Sequence, residues 1–239
     1  TYLSCISFSC RFADLKNLLR TDKLPEELGH VLSLEELYVD ETAISKPPSS
    51  IVLLKNLKTL SFRGCKAMAS RTWRALSSSW LPGQKSQDST GLVLPSVSGL
   101  NCLAKLDLSD CNLLDGGFPC DLGSLSSLVE LNLGKNNFTS ISAASIKNLS
   151  RLQALELDGC KRLEILPELP PSIEVLYADN CTSLQSATDL LTKYGKLYRV
   201  SFSNCFQLLQ DEQTSSMIDA TWNHMLKVSF SQYTPCIQN

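Results

Sequence analysis

Several kinds of chemistry are missing from this chain. It has two histidines, His30 and His224, in 239 residues. Neither stands near a serine or cysteine in a nucleophile arrangement, so both are expected on the surface and an enzyme is not expected. Its ten cysteines contain no Cys-x-x-Cys pair, which removes the usual spacing for a zinc site. Lysine and arginine total 22 against 24 acidic residues, and a net charge of −2 argues against nucleic acid, whose phosphates demand a basic excess. No run of about 18 apolar residues is present, so no membrane-spanning helix is expected. The first residues, Thr1 to Phe8, lack a basic stretch followed by an apolar one, so no secretory signal is read there. The chain begins with Thr rather than Met, and a fragment of a longer protein is expected. Gly116-Gly117 falls in a turn and not between a strand and a helix, so no phosphate loop is read from it. No cofactor or metal is expected.

What the sequence does have is a repeated frame. Leucines recur at steps of three and two, followed three residues later by cysteine: Leu103, Leu106, Leu108, Cys111, and again Leu152, Leu155, Leu157, Cys160. Variants run Leu57, Leu60, Phe62, Cys65; Ile173, Leu176, Ala178, Cys181; and Leu197, Val200, Phe202, Cys205. The copy at Leu128, Leu131, Leu133 puts Asn136 in the last slot, and that at Leu34, Leu37, Val39 puts Thr42 there. This is the leucine-rich-repeat frame, whose ninth position takes Asn or Cys. It predicts an α/β leucine-rich-repeat solenoid: a curved horseshoe arc, with a parallel sheet on the concave face and loops and short helices on the convex face. Successive copies begin 21 to 25 residues apart where they are contiguous. One copy cannot bury its own apolar face, so copies must stack.

The ninth position has a structural rationale. The chain turns off the strand there, and backbone groups in the turn need partners. Asn supplies an amide; Cys supplies a small apolar body and a weak donor. Cys65, Cys111, Asn136, Cys160, Cys181 and Cys205 are therefore assigned to the architecture. Five of the ten cysteines become a ladder of reduced thiols, each pointing into its own turn, and that favours a reducing compartment.

The frame divides the chain into three parts. Residues 1–33 are a degenerate N-terminal repeat or edge, in which Leu3, Ile6 and Phe8 fit the spacing. Residues 34–205 are the repeat domain. It is interrupted at 66–99 by an insertion of loop composition, with Trp73, Leu76 and Trp80 at helical spacing. Residues 206–239 hold a helical stripe, Met217 to Leu226, expected to cap the last coil and begin a truncated further region.

Side chains alternate across a strand, so residues flanking the buried leucines line up on the concave face. The candidate protein-binding surface is Glu36, Tyr38, Asp40, Arg63, Asp107, Glu130, Asn132, Glu156, Asp158, Tyr177, Asp179 and Arg199. Glu41, Asp110 and Lys135 form an outermost column. Carboxylates with embedded tyrosines suit a basic protein segment, steered by charge and anchored by aromatics. The same residues also serve as ordinary soluble strand positions.

Some stretches go beyond the generic repeat. Leu34-Glu-Glu-Leu-Tyr-Val-Asp-Glu-Thr-Ala-Ile44 with Pro47-Pro-Ser-Ser-Ile51, Leu60-Ser-Phe-Arg-Gly-Cys65 and Leu106-Asp-Leu-Ser-Asp-Cys111 resemble the leucine-rich-repeat region of plant TIR-class nucleotide-binding disease-resistance proteins. So does Leu166-Pro-Glu-Leu-Pro-Pro-Ser-Ile-Glu-Val-Leu-Tyr-Ala-Asp-Asn-Cys181, and Phe202-Ser-Asn-Cys-Phe206 resembles the family's exit from the repeats. The resemblance covers residues 23–228. It implies an intracellular immune receptor, cytoplasmic with a possible nuclear pool, that takes part in defense signal transduction. The repeats would meet a pathogen effector, a guarded host protein or the receptor's own nucleotide-binding domain, and would help hold the receptor inactive. The chain shows no TIR or nucleotide-binding motif, so nucleotide and NAD chemistry are not expected of it. The stretch Gly117 to Asn136 is similar to extracellular leucine-rich-repeat receptors or inhibitors, which is the alternative. A truncated relic is a third reading.

Overall fold

The structure is a computed structural model; it describes residues 9–16, 23–44, 46–66, 97–115, 122–142, 146–187 and 190–208. Among the described residues, eight short strands form one parallel sheet in strict chain order: β1 Phe12–Asp14, β2 Glu36–Tyr38, β3 Thr59–Ser61, β4 Lys105–Asp107, β5 Glu130–Asn132, β6 Ala154–Glu156, β7 Val175–Tyr177 and β8 Arg199–Ser201. The register joins Leu37, Leu60, Leu106, Leu131, Leu155, Leu176 and Val200 in one row. The chain is a leucine-rich-repeat solenoid. Leu34, Leu37 and Val39, and their equivalents through Leu152, Leu155 and Leu157, are all buried in one continuous core. Stacking covers each coil's apolar face with the next, which is why the frame recurs.

Each strand is only three residues long, and a backbone corner explains why. Three residues past the end of each of β2 to β8, counting one residue per coil, the chain takes a left-handed conformation. These corner residues are Glu41, Gly64, Asp110, Lys135, Gly159, Asn180 and Asn204, with φ between 54° and 73° for all positive-φ residues described. That region is costly for most L-residues and suits glycine or asparagine. The corner ends the strand yet keeps the ladder: the N–H of Lys135 donates to Asp158 O at 2.7 Å, and that of Gly159 to Asp179 O at 2.7 Å. The sequence-based outermost column of Glu41, Asp110 and Lys135 is thus a row of corners, not a strand position.

The ninth-position residues follow directly and knit the coils together. Cys65 Sγ donates to Val39 O at 3.1 Å, Cys111 to Phe62 O at 3.0 Å, and Cys160 to Leu133 O at 3.3 Å. Cys181 reaches Leu157 O at 3.2 Å and Cys205 reaches Ala178 O at 3.0 Å. Each acceptor belongs to the preceding coil. The expectation that each thiol points into its own turn is corrected: these bonds run backward across the stack. All five slot thiols are free and buried.

The outer side is built from turns and 3-10 helices, Glu26–His30, Ser49–Leu53 and Leu122–Ser124, with a one-turn α-helix at Leu190–Lys193. Pro25 and Pro48, at φ of −74° and −65°, lead into the first two. Proline presets the φ that a helical turn needs and lacks an N–H that would go unpaired. The Glu26 carboxylate receives the N–H groups of Ser49 (3.1 Å) and Ser50 (2.9 Å) at the start of the next coil's helix. Gly29 sits so close beneath that helix that a Cβ there would lie 2.5 Å from Ser50 Cβ.

At the N-terminal edge, β1 pairs with β2, placing Cys10, Ala13 and Leu15 in the frame's three apolar slots. Leu3, Ile6 and Phe8 lie outside the described residues. So do Trp73, Leu76 and Trp80 of the insertion, the stripe from Met217 to Leu226, and His224. His30 is exposed.

Candidate protein-recognition face

The concave face is the exposed side of the sheet. In β2 and in β4 to β7 the central residue is buried and its neighbours point the other way, partly or fully toward solvent, while in β3 Ser61 is buried as well. The register therefore builds two columns across the coils. One runs Glu36, Thr59, Lys105, Glu130, Ala154, Val175, Arg199; the other runs Tyr38, Ser61, Asp107, Asn132, Glu156, Tyr177, Ser201. Asp40, Arg63, Asp158 and Asp179 continue the face two residues beyond their strands. The twelve candidate residues are thereby brought onto one surface, over which a concavity of about 420 Å³ extends from Tyr38 to Glu156.

Most of these side chains hold one another. Tyr38 donates its hydroxyl to Glu36 at 3.1 Å, and its ring lies 5.6 Å from that of Phe12. Burial, then the Glu36 contact, raises the Tyr38 pKa. Asp40 accepts the Ser61 hydroxyl. Asp107 accepts the N–H of Ser109 at 2.8 Å, and Asn132 that of Gly134 at 2.9 Å. Glu130 is ion-paired with Lys105 at 2.9 Å. Asp179 receives the Ser201 hydroxyl and the Ser203 N–H, both at 2.6 Å. Arg199 donates to the Tyr177 hydroxyl at 3.2 Å. Arg63 is exposed at the face's margin.

Glu156 and Asp158 stand apart electrostatically. Glu156 accepts from the Asn132 amide at 2.6 Å, and Asp158 from the Asp179 N–H at 2.8 Å. Burial, and then the charges of Asp158, Asp107 and Glu130, hold the Glu156 carboxyl above its ordinary pKa. Asp158 is raised by burial and by Asp179, against the lowering effect of the Asp179 N–H. Two residues on this face escaped the sequence reading. Phe12 continues the Glu36 column and Asp14 the Tyr38 column. Their signal was hidden because cysteine and alanine take the leucine places in that coil.

Comparison with known proteins places the chain. Leucine rich repeat family profiles match residues 102–125 and 122–161. TMV resistance protein N of Nicotiana glutinosa is 38% identical over 201 residues, 82% of this chain and 16% of that protein. Two Arabidopsis thaliana proteins follow. Disease resistance-like protein DSC1 is 31% identical, covering 84% of this chain and 15% of its own length. Disease resistance protein RPS4B is 31% identical, covering 74% and 15%.

The chain belongs to the leucine-rich-repeat region of plant TIR-NB-LRR disease-resistance proteins.

It spans about a sixth of the length of these curated relatives. Among solved structures, the leucine-rich repeat domain of the type III effector XCV3220 (XopL) superposes with a TM-score of 0.55 at 18% identity. The match covers 78% of this chain and 66% of that domain, and the likeness is one of fold. No described helix is long and apolar enough to cross a membrane.

Proposed function

We propose that this chain is the non-catalytic recognition module of an intracellular plant immune receptor, cytoplasmic with a nuclear pool. Its concave face meets a protein: a pathogen effector, a guarded host protein, or the receptor's own nucleotide-binding domain. Contact with the last contributes to autoinhibition. The observation that carries this reading is the alignment of Glu36 through Arg199 and Tyr38 through Ser201 into two columns of mostly part-exposed side chains on one hydrogen-bonded sheet. A rigid, preorganised face loses little entropy when a partner docks, which favours recognition. Membership of the disease-resistance family supports the same role.

The test is a photoreactive benzophenone side chain placed at Asn132 on the concave face or at Lys161 on an outer loop of the complete receptor in plant cells. Protein adducts at Asn132 and not at Lys161 are expected. Adducts confined to Lys161 would move recognition off this face.

A further inference from the structure

The concave face changes character between β5 and β7. Four carboxylates, Glu130, Glu156, Asp158 and Asp179, lie in three successive coils. Lys105 neutralises Glu130, and Ser201 with Ser203 satisfies Asp179. Glu156 and Asp158 have no cationic partner among the described residues. Each holds one hydrogen bond from a neutral donor, and a carboxylate has capacity to accept more. Burial first, and neighbouring like charge after it, raises the pKa of both carboxyls.

The surroundings of this pair have a definite shape. Ala154 and Val175 are in register with each other, on the same face as Glu156 and Tyr177. Two short apolar side chains thus make a floor beside the carboxylates. Tyr177 stands in register with Glu156, and its hydroxyl is held by Arg199. Arg199 is thereby committed to the tyrosine, and the concavity of about 420 Å³ reaches Ala154 and Glu156 from the other side.

We propose that Glu156, Asp158 and Tyr177, over the floor of Ala154 and Val175, form a docking site for an arginine on an extended segment of a protein partner. This rests on the concave face being the recognition surface. The guanidinium sits against the two carboxylates, and its methylene stem crosses Ala154 and Val175 toward the Tyr177 ring. Charge complementarity selects a cation, and the geometry selects arginine over lysine. A planar fork meets two carboxylate groups at once, stacks on an aromatic face and gives up its hydration more easily than an ammonium. Nucleic acid is repelled by the same charge. From β5 to β7 is two strand spacings, roughly 10 Å, which is about three residues of an extended chain.

The experiment measures fluorescence anisotropy of a labelled Gly-Ser peptide with paired arginines, and of its paired-lysine counterpart, on the full 239-residue chain. The arginine peptide should bind several-fold more tightly than the lysine peptide. Glu156→Gln combined with Asp158→Asn should weaken it by about tenfold, and Tyr177→Leu by about threefold. Both amide replacements retain acceptors for Asn132 and for the Asp179 N–H, so the variant should fold with a thermal midpoint no lower than that of the parent chain. Ala154→Leu fills the floor without touching a carboxylate and should also weaken binding. Equal affinity for the two peptides, no binding of either, or full binding to the folded amide variant would overturn the proposal. If the peptide fails while benzophenone at Asn132 still captures a partner, the arginine site falls and the recognition face stands. If the peptide binds but adducts form only at Lys161, the recognition reading falls instead.

Discussion

The side-chain amide of Asn136 donates to Leu108 O of the preceding coil at 2.9 Å and to Leu133 O of its own coil at 2.8 Å. Its carbonyl oxygen receives the N–H groups of Cys111 at 3.1 Å and Leu113 at 2.9 Å. One buried side chain thus satisfies four backbone groups in two coils. In five other coils a cysteine thiol covers the equivalent carbonyl, and in the Leu34 coil Thr42 instead donates to Val39 O of its own coil at 2.9 Å. Asn136→Ala strands these groups away from water and should cost about 3 kcal/mol. Asn136→Cys should cost less, because the thiol restores the bond to Leu108 O. Urea unfolding measures both; equal losses would mean that the slot works by volume alone.

The left-handed corners predict changes of opposite sign at equivalent positions. Gly159 has φ of +73° and Lys135 has +58°. Gly159→Ala should destabilise by about 1–2 kcal/mol, since a Cβ is disfavoured there. Lys135→Asn should stabilise by roughly 0.5 kcal/mol, because asparagine tolerates this conformation better. Thermal unfolding of the two variants should move the midpoint in opposite directions. Shifts in the same direction would refute the corner argument.

Glu156 and Glu35 have opposite pH signatures. Glu156 has a raised pKa, from burial first and then from its acidic neighbours. The folded state therefore holds its proton more tightly, and this contribution to stability is lost as pH rises through the folded value. Glu156→Gln should raise stability at neutral pH by about 0.5 kcal/mol, after discounting for solvent screening. The gain should fade below the ordinary value of 4.5. Glu35 is lowered by its hydrogen bond to Lys58, opposed by desolvation and supported by Arg11. Its stabilising effect is present above 4.5 and lost as pH falls. Glu35→Gln should therefore destabilise at neutral pH and become silent in acid. Unfolding midpoints across a pH series compare the two, and parallel profiles would contradict this assignment.

Thiol chemistry follows burial. Cys102 is exposed, whereas Cys65, Cys111, Cys160, Cys181 and Cys205 are buried. Burial pushes the Cys160 thiol up to about 12, leaving very little thiolate at neutral pH. In the native protein, maleimide should label Cys102 quickly and the slot thiols only on unfolding. Denatured without reductant, the chain should present ten free thiols. Disulfides among them would favour the extracellular reading of the sequence.

Much of the fold was legible because the frame encodes both period and face. Leu37 and Leu60 recur at the same place in the repeat, and parallel stacking leaves one register that buries both. The concave columns follow from alternation alone. Strand β1 was hidden because Cys10 and Ala13 keep apolar character without the leucine letters, leaving Leu15 alone in the frame. The inter-coil cap from Glu26 to Ser49 and Ser50 joins residues more than twenty positions apart, and no single repeat signals it. The same holds within the candidate site. That Glu130 is neutralised by Lys105 while Glu156 is not depends on rotamers in neighbouring coils, which composition does not specify.

The most direct test of the account is the double charge reversal Glu156→Lys/Asp158→Lys in the complete receptor, scored by its defense response to the eliciting pathogen. The same variant of this chain is followed by thermal unfolding. We predict that the response is lost while the chain still unfolds in one cooperative transition. A full response with the fold intact would contradict the concave face as the recognition surface.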